Sequence, residues 1–543
     1  MESQESRKRD HHEDESTPLL PVPKDYQSHI LSQKRLLTVF PALALVQFTS
    51  FLDQTAISTS LPAIAAGLNT GSSISWVACS FLTTSTSIQL TNGRFSDIFG
   101  RKTCLVSALL IMGLGNLLSG FSQTPAQLYA TRAFSGLGAG AINALVQITI
   151  SDITSLDQRG YYFGIVGIAV AFGNGLGPVV GGALTEHTSW RWAFWFICPL
   201  TAVAVTYLLL VLPGSSAPEN VWMKIKMVDW IGVLTSMAAI ILILIPLSKG
   251  GSAEAWKSVP NIALFLFGLL LFTAFILLEF QFVKLPILPL RLFRYGASTN
   301  ILIAINVLIG WVYWGNLFYI PLYLQVVRGW SPSIAGSFIL PLVIAHGMTS
   351  GLSGIIMSIS GRYTSVISGG AALWAIGACI KVTYGQETPV WLILCTGVLE
   401  GIGVGCSLQP VLIGLLAGSN KTDRAAITGL RNFVRDIGSA VGITVSGSIL
   451  NSIMHAGLKH RFSSDFISKL TSSAFSLPTS GLSDEDKALV SSVYMQGIHG
   501  IFISYAVICV ILFVSTRFIE DYGLAGRTEQ EVEQVTGGNV NES

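Results

Sequence analysis

Fourteen mainly apolar segments, each close to the length that crosses a bilayer, constrain this sequence more than any other feature. An α-helix rises 1.5 Å per residue, so about 30 Å of hydrocarbon takes roughly 20 residues. Segments of that kind fall at 36–60, 73–92, 103–122, 127–151, 161–185, 193–212, 228–247, 260–281, 298–323, 333–358, 364–384, 390–416, 426–451 and 498–518. Composition agrees, with 51% hydrophobic and 11% charged residues and a mean hydropathy of +0.60. A water-soluble surface takes about 25% charged residues. Between the polar ends 1–35 and 516–543, only 41 charges remain in 480 residues. The chain therefore reads as an all-α integral membrane protein, not as the three or four soluble domains that 543 residues would otherwise suggest.

Several function classes drop out. A net charge of +2 without a basic stripe gives no reason to expect a nucleic-acid partner. The seven cysteines lie inside apolar runs with no CxxC or Cys/His spacing, so neither a disulfide framework nor a metal site is expected. No nucleophile or nucleotide-binding loop stands out, and the glycine repeats lie within spans rather than after strands. An enzyme, an ATP-driven pump and a cofactor are thus not expected. The polar start lacks a signal-peptide pattern, leaving targeting to the first span.

Orientation follows from lysine and arginine in the short loops. With a cytoplasmic N-terminus, twelve fall inside and four outside, so both termini are expected in the cytoplasm. Shifting the chain by 265 residues lays Gly136, Gly138 and Gly140 on Gly401, Gly403 and Gly405, and Gly164, Gly173, Gly177 and Gly182 on Gly429, Gly438, Gly442 and Gly447. The matched spans are eight apart, and an even offset keeps the same membrane sense. That predicts two parallel six-helix repeats, a known transporter plan, with two helices left over in the middle.

Four motifs carry chemistry. Gly93-Arg-Phe-Ser-Asp97-Ile-Phe-Gly100-Arg101-Lys102 joins spans 2 and 3; its glycines permit a tight turn, and Asp97 is placed to pair with Arg101 or cap a helix. Arg132 opens span 4 in Arg-Ala-Phe-Ser-Gly-Leu-Gly-Ala-Gly140. Either it snorkels to the outer interface, or it meets Asp53 of span 1, which lies at roughly the same depth. Intramembrane charges are functional candidates because each is costly unpaired. In span 5, Gly173, Gly177 and Gly181 form a side-chain-free stripe beside Pro178, which favours close helix contact and a kink.

These motifs resemble the major facilitator superfamily. The loop matches its cytoplasmic gating signature, which implies gating roles for Gly93, Asp97, Gly100 and Arg101. The span-4 motif resembles the one whose arginine is associated with proton coupling, and the span-5 motif, with Gly173, Gly177 and Pro178, resembles the antiporter signature. With fourteen helices and Leu52-Asp-Gln-Thr55 in span 1, the chain is similar to the fourteen-helix drug:proton antiporter family in its fungal branch. One departure is that Ala56-Ile-Ser-Thr-Ser-Leu-Pro62 is more hydroxylated than that family's pattern.

Three further features remain. Glu400, about ten residues into span 12 and close to the midplane, is either part of the coupling and substrate site or a structural hydrogen-bonded carboxyl. Trp311 and Trp314 of span 9 either line the substrate cavity or belong to an interfacial belt. His346 is a weaker candidate, and Lys381 reads as a snorkelling residue.

The organisation expected is a cytoplasmic tail 1–35, a six-helix bundle 36–212, an inserted two-helix linker 213–297, a second bundle 298–520 with a long outer loop 452–497, and a cytoplasmic tail 521–543. The resemblance implies a proton-coupled antiporter, working as a monomer in a lipid bilayer, that exports amphipathic small molecules such as drugs, toxins or secondary metabolites. A plasma-membrane location fits that. Glu15-Ser-Thr-Pro-Leu-Leu20 looks like an acidic dileucine sorting signal, and together with Glu400 it favours a vacuolar transporter of basic amino acids as the alternative.

Overall fold

The computed structural model describes residues 33–68, 76–154, 156–213, 229–249, 258–282, 290–330, 332–419, 423–463, 466–467 and 483–523. The dileucine match lies outside them. Among the described residues fourteen long helices follow in order: α1 Gln33–Ala56, α2 Trp76–Phe99, α3 Arg101–Gly120, α4 Pro125–Ile153, α5 Leu156–His187, α6 Ile197–Val211, α7 Trp230–Lys249, α8 Val259–Phe282, α9 Ala297–Val326, α10 Leu340–Ser360, α11 Thr364–Lys381, α12 Val390–Ala417, α13 Arg424–Leu458 and α14 Asp484–Ser515. Thirteen spans are apolar enough to cross a membrane, one of them α6 joined to the turn Trp192–Trp195 before it.

The fourteenth, α2, has the length but carries Thr83, Ser85, Thr86, Ser87, Gln89, Thr91 and Asn92 in buried positions. The hydroxyls of Thr84, Thr86, Ser87, Thr91 and Ser96 donate to backbone carbonyls, Thr84 Oγ1 to Ala133 at 2.7 Å. A polar helix is tolerated at membrane depth when protein, not lipid, surrounds it.

Several expected boundaries move. α2 runs on to Phe99, so Gly93 sits inside a helix and is not part of the turn. A Cβ there would stand 3.1 Å from the Ala425 carbonyl carbon at the start of α13. Gly100 alone makes the turn, with φ at +89°, a conformation open to glycine at little cost. α1 ends at Ala56, and after a turn a short helix covers Leu61–Leu68. The long outer loop expected at 452–497 is shorter: α13 extends to Leu458, and α14 begins at Asp484 behind a Ser483 cap whose Oγ accepts from Asp486 N at 3.2 Å. Arg461 pairs with Asp486 at 2.6 Å between those extensions. Polar helical turns at the end of an apolar span escape a search for apolar runs.

The glycine register has a packing cause. Gly136 and Gly140 of α4 let it onto α2 backbone, and Gly138 onto α3; Gly401 and Gly405 of α12 meet α10, and Gly403 meets α11. Each glycine and its partner 265 residues on therefore face equivalent neighbours. α4 is also the most buried span at 83%, whereas α8 is the least at 17%, so α4 is central and α8 peripheral. The extra pair α7 and α8 flanks the seam between α2 and α13. Trp230 packs edge-on to Phe95, Thr444 Oγ1 donates to the Leu247 carbonyl at 2.5 Å, and Phe272 meets Phe433. Below them, Arg291 holds Asp423 through two bonds of 3.0 and 2.7 Å. Hydrogen bonding to that carboxylate raises the guanidinium's pKa.

The stripe in α5 is the α1 contact. A Cβ on Gly173 would stand 2.9 Å from Phe48 O, one on Gly177 2.9 Å from Ala56 N, and one on Gly181 would collide with Ala56 O. The hydroxyl-rich stretch after Asp53 serves this seam: Thr55, Thr59 and Ser60 donate to the carbonyls of Gly173, Pro178 and Gly181 at 3.2, 2.9 and 3.4 Å. Gly177→Leu places four carbons in that seam, where overpacking costs about 1–3 kcal/mol or more. We expect lost transport and a lowered Tm in detergent; a fully active Gly177→Leu protein would remove the close-contact account.

Candidate functional site

Asp53 and Arg132 meet inside the N-terminal bundle. Arg132 Nη1 lies 3.0 Å from Asp53 Oδ1, and both side chains are essentially inaccessible, at 1% and 0%. The snorkelling alternative for Arg132 is thereby replaced by a buried pair. The same Nη1 donates to Asn116 Oδ1 at 3.2 Å, and Ser135 Oγ donates to Asp53 Oδ2 at 3.4 Å. Phe81 lies 4.2 Å from the guanidinium carbon, a cation–π arrangement that supplies some of the lost hydration.

The C-terminal bundle holds a second constellation. Lys381 Nζ sits 2.7 and 2.9 Å from the two Glu400 oxygens and 2.5 Å from Asn316 Oδ1, while Asn316 Nδ2 donates to Glu400 Oε2 at 3.1 Å. Lys381 does not snorkel; it is 0% exposed, because a buried carboxylate offers it more than the interface does. The 265-residue offset lays Asn116 on Lys381 and Ser135 on Glu400. Equivalent places in the two bundles thus hold one acid, one base and one amide, with the roles permuted. Glu400 and Lys381 line a small cavity within this bundle with Ile320, Leu342 and Tyr384, and Glu400 is not on the wall of the central one.

That central cavity lies between the bundles. Gln47 and Phe51 of α1, Gln147 of α4, and Val170 and Asn174 of α5 form one side; Tyr313 and Trp314 of α9, His346 of α10, Leu408 and Gln409 of α12, and Arg431 and Arg435 of α13 form the other. Trp314 is therefore a wall residue, whereas Trp311 packs on Gly442 at the α9–α13 contact. The cavity measures about 30 Å³, room for one or two waters, so an organic substrate needs the bundles to part. Arg431 and Arg435 were missed by the sequence reading, although two arginines and Asp436 in an otherwise apolar span are a visible signal.

The span ends on the side of the Gly100 turn close the cavity. Gln89 Nε2 donates to Asp436 Oδ2 at 2.7 Å, Asn432 Nδ2 donates to Gln147 Oε1 at 3.1 Å, and Gly160 lies against Gly354. Beside this seam, Arg101 bridges two carboxylates, Asp97 Oδ1 at 2.7 Å and Asp152 Oδ2 at 2.8 Å. Asp152, at the end of α4, was not anticipated. Lys102 Nζ donates to the Leu209 and Leu212 carbonyls at 2.8 and 2.6 Å, capping the end of α6. The network ties α2, α3, α4 and α6, and none of its residues lines the cavity. Asp97→Asn should accordingly slow transport while leaving substrate affinity within a few-fold. Lost binding with normal conformational exchange, read by site-directed fluorescence, would contradict a gating role.

Comparisons place this geometry. The sequence pattern of the Major Facilitator Superfamily matches residues 43–443. Citrate exporter 1 of Yarrowia lipolytica is 36% identical over 94% of this chain and 76% of its own. The MFS-type transporter clz4 of Cochliobolus lunatus is 33% identical over 95% and 91%, and the MFS efflux transporter aclA of Aspergillus oryzae 30% over 94% and 96%. Among solved structures, the proton:xylose symporter XylE superposes with a TM-score of 0.57, covering 93% of this chain and all of the other at 15% identity. That likeness speaks to the fold alone.

Proposed function

The chain belongs to the major facilitator superfamily, and from that premise we propose that it is a proton-coupled antiporter exporting a small organic molecule. It is a multi-pass membrane transporter, not an enzyme. The observation that carries proton coupling is the buried Asp53–Arg132 pair with its Asn116 and Ser135 contacts. A carboxylate held by one fixed cation can take up a proton when the bundle opens to an acidic face, releasing the guanidinium, and can lose it on the other face. Protonation then alters how tightly α1, α3 and α4 hold together, which is the mechanical link to α5 and the cavity wall. The arginine keeps its charge throughout and does not carry the proton.

Export as the direction rests on the α5 motif and on relatives named as efflux transporters. Drugs, toxins or secondary metabolites are the cargo that the family resemblance implies, and the relative named as a citrate exporter widens the range to organic acids. We place the protein in the plasma membrane with both termini cytoplasmic, acting as a single chain on substrate and protons. The basic-amino-acid alternative loses its main support, since Glu400 is committed to Lys381 and the central wall carries arginines. The test is transport by purified protein in liposomes: a pH gradient, acidic on the side that receives the substrate, should drive accumulation, and collapse of that gradient should abolish it. Equal accumulation with and without the gradient would reject proton coupling.

A further inference from the structure

Arg431 and Arg435 stand four residues apart, so one turn of α13 aims both guanidinium groups at the central cavity. Their surroundings differ. Arg435 is paired with Asp436 at 3.1 Å, and the other oxygen of Asp436 accepts from Gln89 across the bundles. Arg431 is 1% exposed and has only neutral acceptors, Asn432 Oδ1 at 2.8 Å and the Leu408 carbonyl. Among the described residues no carboxylate forms an ion pair with it, and its Nε has no partner. Burying a guanidinium without a counter-ion is costly, and the wall of a transport cavity is the one place where an arriving ligand removes that cost.

Both walls point the same way. Gln47 Oε1 and Asn174 Oδ1 on the N-terminal side and Gln409 Oε1 on the arginine side are buried, line the cavity and lack partners. Side-chain amides can turn to offer either oxygen or NH₂, so they suit hydroxyl and carbonyl oxygens on a ligand. The remaining titratable groups there are His346 and Tyr313, 3.4 Å apart; neither contributes a negative charge at neutral pH.

We infer that the cargo is a small organic anion, with one carboxylate held by the Arg431 fork beside Arg435 and with hydroxyl or carbonyl oxygens on the amides. This rests on the reading of the protein as an exporter working through this cavity. Guanidinium and carboxylate match as planar, two-point partners. A basic amino acid or a cationic drug would meet like charge. Outward movement of an anion and inward movement of a proton also carry charge in the same sense, so transport is electrogenic and an inside-negative potential speeds it.

The experiment uses full-length protein in liposomes with labelled citrate, malate and 2-oxoglutarate as probes, and sets the potassium diffusion potential and the pH gradient independently. At least one probe should leave saturably, faster with a negative interior, and roughly tenfold or more slowly in Arg431→Gln, given what a charged hydrogen bond contributes. Arg431→Lys, which keeps the charge but loses the fork, should fall between. Should Arg431→Gln fail to fold, Gln409→Met, which conserves volume, should raise the half-saturating concentration several-fold. The inference is overturned if none of the three acids is carried, or if a folded Arg431→Gln protein carries them at the wild-type rate. Carriage that follows the potential but ignores the pH gradient would keep the anion site and defeat proton coupling. Uphill movement of a cationic dye under the pH gradient, with all three acids ignored, would do the reverse.

Discussion

Asp53→Asn should abolish substrate accumulation driven by a pH gradient while downhill exchange continues. The substitution keeps the shape and retains an oxygen that can accept from Arg132 Nη1, now 3.0 Å away, but it fixes the neutral form. The carrier then behaves as though permanently protonated, and a proton gradient has nothing to act on. Arg132 is left buried with Asn116 Oδ1 as its other acceptor, so some loss of stability is expected as well, since an uncompensated buried charge is unfavourable. Uphill transport and Tm should be measured on the same preparation. If Asp53→Asn still concentrates substrate, the coupling carboxylate lies elsewhere, and Glu400 becomes the candidate.

The second large effect concerns Lys381. Lys381→Met strips Glu400 of its cation and leaves it buried with a single amide donor from Asn316 at 3.1 Å. Removing one partner of a buried pair costs about 3–5 kcal/mol, whereas replacing both by neutral groups of similar volume is often neutral. The single variant should therefore unfold at a clearly lower temperature, and Lys381→Met with Glu400→Gln should recover most of the difference. The double variant should still accumulate substrate, because coupling is assigned to Asp53. Recovered stability with uphill transport abolished would move the coupling role into the C-terminal bundle. Equal Tm values for the single and double variants would show that the pair is not energetically coupled.

Much of this was legible in the residues, because the strongest constraints are local. Apolar run length yields the spans, and the 265-residue glycine register the repeated packing that Gly138 and Gly403 display against α3 and α11. Asp53 and Arg132 were matched by depth alone, since both lie in helices whose ends are readable. What failed depended on helix rotation, which no single sequence fixes. Trp311 and Trp314 are three residues apart, yet one touches α13 and the other faces the cavity. Lys381 reads as an interface residue from the sequence because its partner lies on the next helix. The repeat offset did hold a usable signal, because it lays polar Asn116 on Lys381 and Ser135 on Glu400. Arg431 and Arg435 belong to no family motif, although charges in an apolar span need a reason wherever they occur.

The most direct test of proton-coupled export is a proton flux that substrate itself provokes. Wild-type protein would be sealed into liposomes with a trapped pH-sensitive dye and preloaded with labelled citrate, malate or 2-oxoglutarate at equal internal and external pH. As substrate leaves, the account predicts that protons enter and the lumen acidifies in proportion to the label lost, and that Asp53→Asn releases label with no such change. Substrate efflux with the same luminal pH trace in both proteins would contradict it.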